Sequence, residues 1–216
     1  MEYHNKQLQI IGVAEKLFAE KGFSGTSIRD ISQEADINVS MISYYFGSKE
    51  KLIEAIFEVR SKDFLKIFED LLLNIDLSPM QKVNMMIDAV VKRLVDNQCF
   101  HNVMVREQLS GSRTPTISEL LTKMKTKNLK AMEGIIHEGQ QAGVFAEDID
   151  VLMLSTTLFG TLNQAISTQL FYRRINQLED LSQPELDSHL KQKLSTHLKK
   201  IFRAVLDKEL NEAVAS

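Results

Sequence analysis

Three prolines, at 79, 115 and 184, and nine glycines in 216 residues leave this chain with long stretches in which nothing stops a helix from running on. A β-sandwich or barrel needs many turns, and no period-two alternation of apolar and polar residues persists anywhere. An all-α protein is therefore expected. With 44% hydrophobic and 25% charged residues, the chain can build a packed core rather than stay disordered.

The composition also removes several kinds of chemistry. The single Cys99 cannot form an internal disulfide or a thiolate metal pair. The histidines at 4, 101, 137, 189 and 197 have no metal-ligand spacing, and no nucleophile elbow, P-loop or dinucleotide fingerprint occurs. Neither a metal, nor a cofactor, nor an enzymatic activity is expected. Residues 1–7 hold no apolar stretch of signal-peptide type and no run reaches 18 apolar residues, so a cytoplasmic protein without a membrane partner is expected.

Residues 7–21 place Leu8, Ile11, Ala14, Leu17 and Phe18 on one helical face, with Gly22 as a C-terminal cap. Ser24-Gly25-Thr26 makes a turn, and Ser27-x-x-Asp30 is a capping box for a short second helix carrying Ile28, Ile31 and Ala35. Asn38 or Ser40 opens a third helix through Ile42 to Phe46, and Gly47 ends it. Ser48 caps a long fourth helix, to about residue 74. Further helices are expected near 80–97, 100–109, 116–142, 150–174 and 184–210.

Two short helices joined by a tight turn, over about 27–46, have the dimensions of a helix-turn-helix. In the second of them Ile42 and Phe46 form the packed face and Val39, Ser40, Ser43 and Tyr44 point outward. Small polar and amphipathic side chains suit a major groove. The Tyr44 hydroxyl, Lys49 and the free amides at the start of the fourth helix suit phosphates.

The run LFAEKGFSGTSIRDISQEADINVSMISYYFGSKEKL resembles the DNA-binding module of the TetR family of bacterial transcription regulators. It carries LF-x-x-x-GF, then T-S, I-x-x-x-A and a YF-x-x-KE-x-L close, in order and with matching gaps, and the resemblance spans about residues 8–56. It departs from many members at Asp36 and Ser40, where glycine is common, and at Ser43, where tyrosine is. Asp36 is expected to replace backbone freedom with a side-chain hydrogen bond. The resemblance implies DNA contacts from Thr26, Ser27, Arg29, Asn38, Val39, Ser40, Met41, Ser43, Tyr44 and Lys49. Thr26, Ser27 and Asn38 are also expected to cap helices, and Met41 suits core as well as contact.

Net charge argues the other way. The chain carries −3, and residues 1–60 hold seven Lys or Arg against nine Asp or Glu, leaving −2. DNA binding by this module would rest on the placement of a few charges, with few phosphates neutralised and a shallow salt dependence.

The remainder is expected to regulate and to dimerise, giving a DNA-binding domain at 4–64 and a helical domain at 65–216. Residues 151–172 carry no charge, yet nine of the 22 are Ser, Thr, Asn or Gln, too polar for a lipid span and too uncharged for a solvated helix. The stripe Leu154, Leu158, Leu162, Ile166, with Leu190, Leu194, Leu198 and Ile201 on the last helix, is expected to form a four-helix homodimer interface. The resemblance implies the same dimer, reading a palindromic operator in double-stranded DNA. Most of the Met and Phe residues are expected in the core. An effector pocket, for a small apolar or amphipathic ligand, is expected from Phe57, Phe64, Met86, Met104, Arg106, Asn128, Met132, Phe159 and Asn163. The resulting reading is a ligand-released repressor. A helical scaffold whose helix-turn-helix no longer reads DNA stays open.

Overall fold

The computed structural model describes residues 3–111 and 114–209, less the side chains at 63, 64, 65 and 69. Its ten described helices begin and end largely where polar caps, prolines and glycines stand. Helix α1 (Asn5–Lys21) stops at Gly22, whose φ of 79° suits glycine. Helix α2 (Ile28–Glu34) starts at Ser27, which accepts from the Asp30 N–H while the Asp30 carboxylate takes the Ser27 N–H. Helix α3 (Val39–Phe46) starts at Asn38, whose Oδ1 accepts from Ser40 N, and ends at Gly47. Helices α4 (Lys49–Leu73), α5 (Pro79–Asp96), α6 (Gln98–Leu109) and α7 (Pro115–Gln141) follow. Ser78 and Pro79 give α5 both a capping box and a proline in its first turn.

The helix expected over 150–174 is two. Helix α8 (Val151–Ser167) ends at Thr168, whose hydroxyl and N–H both turn back to the Gln164 carbonyl, at 2.7 and 3.0 Å. Beyond it, in α9 (Gln169–Ile175), Leu170, Phe171 and Ile175 are exposed, so no buried stripe holds the two segments in line. Helix α10 (Gln183–Leu206) closes the described chain, with Pro184 in its first turn.

The helices sort into two compact units. The first comprises residues 1–64 with 98–125, and the second 65–97 with 126–216. Thus α6 and the start of α7 pack with the N-terminal helices, although division at residue 64 would set them apart. In the first unit Ile10, Phe18, Phe23, Ile31, Ile42, Leu52 and Ile56 share a core with Phe100, Val103, Ile117 and Leu121. In the second, α10 packs along α5, and α8 packs on both. Lys191 pairs with Asp96, which also pairs with Lys92 of its own helix, and Lys199 and Ser195 bind Asp88, so that Lys191, Ser195 and Lys199 tie α10 to α5. Phe145 fills the space that a side chain at Gly139 would occupy.

This packing corrects the expected dimer face. Leu154, Leu158, Leu162, Ile166, Leu190, Leu194 and Leu198 are buried within the protomer, and Ile201 is half-buried. A leucine stripe reports that a helix face is covered, and here α5, α8 and α10 cover one another.

Candidate nucleic-acid interface

The geometry of α2 and α3 depends on a turn of four residues. Ala35 N–H bonds Ile31 O, Ile37 N–H bonds Ser32 O, and Gln9 of α1 reaches across to donate to Ala35 O at 3.0 Å. Asp36 stands at φ 50°, a left-handed conformation that Asp tolerates better than most residues. The side-chain hydrogen bond expected of it does not form among the described residues. Its carboxylate is instead exposed beside an open recess lined by Ser32, Gln33, Asp36, Ile37 and Asn38. Gln33 and Ile37 were not singled out from sequence; their place on this face follows from the turn, not from a motif.

Helix α3 divides cleanly. Ile42 and Phe46 are buried, and Tyr3 stacks on Phe46 at 6.5 Å between centroids. Val39, Ser40, Ser43 and Tyr44 are exposed, Tyr44 to 84%. The Tyr44 ring is steadied edge-on by Tyr45 at 5.2 Å. Ser40 Oγ donates to Asn38 Oδ1 at 2.8 Å, and Met41 is half-buried. Ser27 and Arg29 are exposed at the start of α2.

Two expected DNA contacts are placed elsewhere. Thr26 is 1% exposed, and its hydroxyl donates to Gly22 O at 2.8 Å and Leu17 O at 3.2 Å. It fastens the turn after α1 instead of reaching a phosphate. The Lys49 ammonium donates to Phe23 O and Thr26 O, both at 2.9 Å, and lies 4.3 Å above the Phe23 ring. Two carbonyls and an aromatic face hold a cation that sequence reading assigned to DNA.

Between residues 22 and 48 that leaves Arg29 as the one Lys or Arg, and no acidic partner for it stands among the described residues. Of the three acids in this span, Glu34 pairs with Lys16 at 3.3 Å and Asp30 is taken up by Ser27, while Asp36 faces solvent. The backbone N–H and hydroxyl of Ser27 hold the Asp30 carboxyl below its ordinary 3.8. A depressed carboxyl contributes in full above its unfolded value, and that contribution is lost as pH falls through the folded one. Replacing Ser27, the N-cap of α2, by alanine should cost about 1 kcal/mol. In urea titrations, Asp30→Asn should differ from the parent at pH 7 and converge with it as the pH falls through the lowered folded value of the Asp30 carboxyl; a gap that persists in acid would contradict this cap.

The residues expected to line an effector pocket fall in both units. Phe57 packs edge-on to Phe100 at 5.1 Å, and with Met104 it belongs to the core of the first unit. Arg106 is exposed and donates from Nη1 to Glu20 O at 2.8 Å. Met86 and Met132 are buried in the second unit, where Asn128, Phe159 and Asn163 are half-buried. The Phe64 side chain lies outside the described residues.

Residues 10–56 match the family model for bacterial regulatory proteins of the tetR family, and residues 79–196 match that for the tetracyclin repressor-like C-terminal domain. The chain belongs to the TetR family. Members of this family are helix-turn-helix DNA-binding transcriptional regulators, not enzymes. The chain is 31% identical over 141 residues to the HTH-type transcriptional repressor NicS of Pseudomonas putida, covering 65% of this chain and 66% of that one. It is 24% identical over 164 residues to the fatty acid metabolism regulator protein of Bacillus subtilis, covering 76% and 82%. The fold is similar to that of the transcriptional regulator FadR from Bacillus subtilis in complex with stearoyl-CoA, with a TM-score of 0.63 at 22% identity over 88% of this chain and 96% of that one. No helix among the described residues of this TetR-family chain is long and apolar enough to cross a membrane.

Proposed function

We propose that this TetR-family chain is a homodimeric, cytoplasmic repressor whose paired α3 helices read a palindromic operator, and which a small apolar or amphipathic ligand releases. The observation that carries the DNA-reading part is the division of α3, with Ile42 and Phe46 inward and Val39, Ser40, Ser43 and Tyr44 outward. Residues 4–64 are assigned to DNA and 65–216 to regulation and dimerisation. Ser27, Arg29 and Asn38 flank the reading helix, with Met41 at its edge. The NicS name supports repression, and the stearoyl-CoA complex of FadR supports a ligand with a long apolar part. Such a ligand acts by preferring the DNA-incompetent arrangement and shifting the population toward it.

Selection of duplexes from a random pool should enrich a palindrome whose half-sites lie about one turn apart. Arg29→Ala and Tyr44→Ala should each weaken binding to it by about 10- to 100-fold, with a log–log salt slope of about −4 or shallower. No enrichment at low salt would favour the scaffold reading, which the acidic module and the outward Asp36 recommend.

For dimerisation we assign the outer face of α8. Met153, Thr156, Gly160 and Gln164 are exposed and uncharged, and a Cβ at Gly160 would meet no atom within 4 Å. Gly160→Glu should halve the mass found by sedimentation while leaving the helix signal intact. A dimer of unchanged strength would move the interface elsewhere.

A further inference from the structure

Behind the DNA-reading face, the turn between α1 and α2 is gripped from two sides. Phe23 follows the glycine that ends α1, and its buried N–H donates to Glu107 Oε1 of α6 at 2.8 Å. That carboxylate is 3% exposed and comes from a position 84 residues along the chain. Beside it, Arg106 donates to Glu20 O, the last turn of α1, at 2.8 Å. On the other side the Phe23 carbonyl accepts from Lys49 Nζ, which also donates to Thr26 O. Lys49 opens α4 three residues after α3 ends at Phe46, and Thr26 immediately precedes the cap of α2. One residue, Phe23, is thus bonded through its N–H to α6 and through its C=O to the element that follows the recognition helix.

A buried carboxylate is a poor choice where packing alone is needed, because its desolvation costs more than that of an apolar side chain of similar size. It is a good choice where a backbone donor must be held in one place, since a charged acceptor makes a short, directional bond. Base reading needs α3 held to within a fraction of an ångström.

We infer that Glu107 is a positioning residue for DNA reading, fixing Phe23 and, through the Phe23 carbonyl and Lys49, the seat of α3. This rests on the proposed reading of DNA by α3. Arg106 secures the same turn from its exposed side. Lys49 serves the same relay.

The test uses the full-length protein and the duplex enriched by the parent chain, with affinity read by fluorescence anisotropy and dimer mass by sedimentation. Glu107→Leu should bind that duplex about tenfold more weakly or worse, with dimer mass and helix signal unchanged. Glu107→Gln, whose amide oxygen can still accept from Phe23, should stay within about threefold of the parent. Lys49→Met should also weaken binding, and the double variant Glu107→Leu with Lys49→Met should lose less than the product of the two single losses, because both break one relay. The inference is overturned if Glu107→Leu binds like the parent, if Gln and Leu lose equally, or if the double loss equals the product. Should Glu107→Leu lose its helix signal, Arg106→Ala decides: weaker operator binding at unchanged stability supports the relay, and parental affinity overturns it. If the parent chain itself enriches no sequence, the DNA reading fails first and takes this inference with it, an outcome distinct from parental binding lost or kept by the variants.

Discussion

Glu138→Ala should destabilise the second unit by about 3 kcal/mol or more, whereas Lys82→Met should cost less than about 1 kcal/mol, although the two substitutions remove the same ion pair. The asymmetry comes from burial. Lys82 is 2% exposed, and its ammonium donates to both Glu138 oxygens, at 2.8 and 2.7 Å, and to Leu72 O at 3.2 Å. Glu138 is 38% exposed. Without its carboxylate, the ammonium is left in the core with one carbonyl for company. Without its lysine, the carboxylate can turn to water, and a methionine of similar length still fills the buried space that Lys82 occupies. Urea denaturation followed by far-ultraviolet circular dichroism gives the comparison, and hydrogen exchange in α5 and α7 should place the loss in the second unit. Equal costs for the two variants would mean that Lys82 reaches solvent more easily than its place among the α5 core residues suggests.

That pair was not legible in the sequence, and the reason applies more widely. Lys82 and Glu138 each sit on an amphipathic helix where a charged residue ordinarily reads as surface. Local chemistry made the caps plain: Ser27 with Asp30, Asn38 before α3, and Gly22 and Gly47 after helices all act within four residues of their partners. The inward face of α3 was equally plain, since Ile42 and Phe46 are one helical turn apart. What could not be read was the identity of a distant partner. The leucines of α8 and α10 announce a covered face without saying whether a second protomer or α5 covers it. Thr26 and Lys49 are polar residues in a turn region, and only the direction of the Leu17, Gly22, Phe23 and Thr26 carbonyls turns them inward. Arg106 looked like a ligand-orienting cation, and the nearby Glu20 carbonyl gives it another task. Glu107 carried no signal at all, because an acceptor for a backbone amide 84 residues away leaves no pattern in a single sequence.

Gly22→Ala should cost about 3 kcal/mol, and two other glycines in the first unit show why. Gly12 lies exposed inside α1 with open space around its would-be Cβ, so alanine there should stabilise by up to about 1 kcal/mol through helix propensity alone. Gly47 has φ 77° and also faces open space, so alanine costs only the left-handed strain, about 1–2 kcal/mol. Gly22 combines φ 79° with ψ 164°, a region that is essentially glycine's own, and a Cβ there would stand 3.0 Å from Arg106 Nε and 3.7 Å from Glu107 Oε1. Backbone strain of about 1–3 kcal/mol therefore falls on Gly22, and the Arg106 side chain must also give by a few tenths of an ångström. Crowding of the α6 side chains also pushes on the bond that holds Phe23, so operator binding should fall further in Gly22→Ala than in a Gly47→Ala protein compared at equal stability. Denaturation midpoints and operator affinities of the three variants separate the two contributions. If Gly22→Ala and Gly47→Ala lose the same stability and the same affinity, backbone conformation accounts for both, and α6 contributes nothing to the seat of the recognition helix.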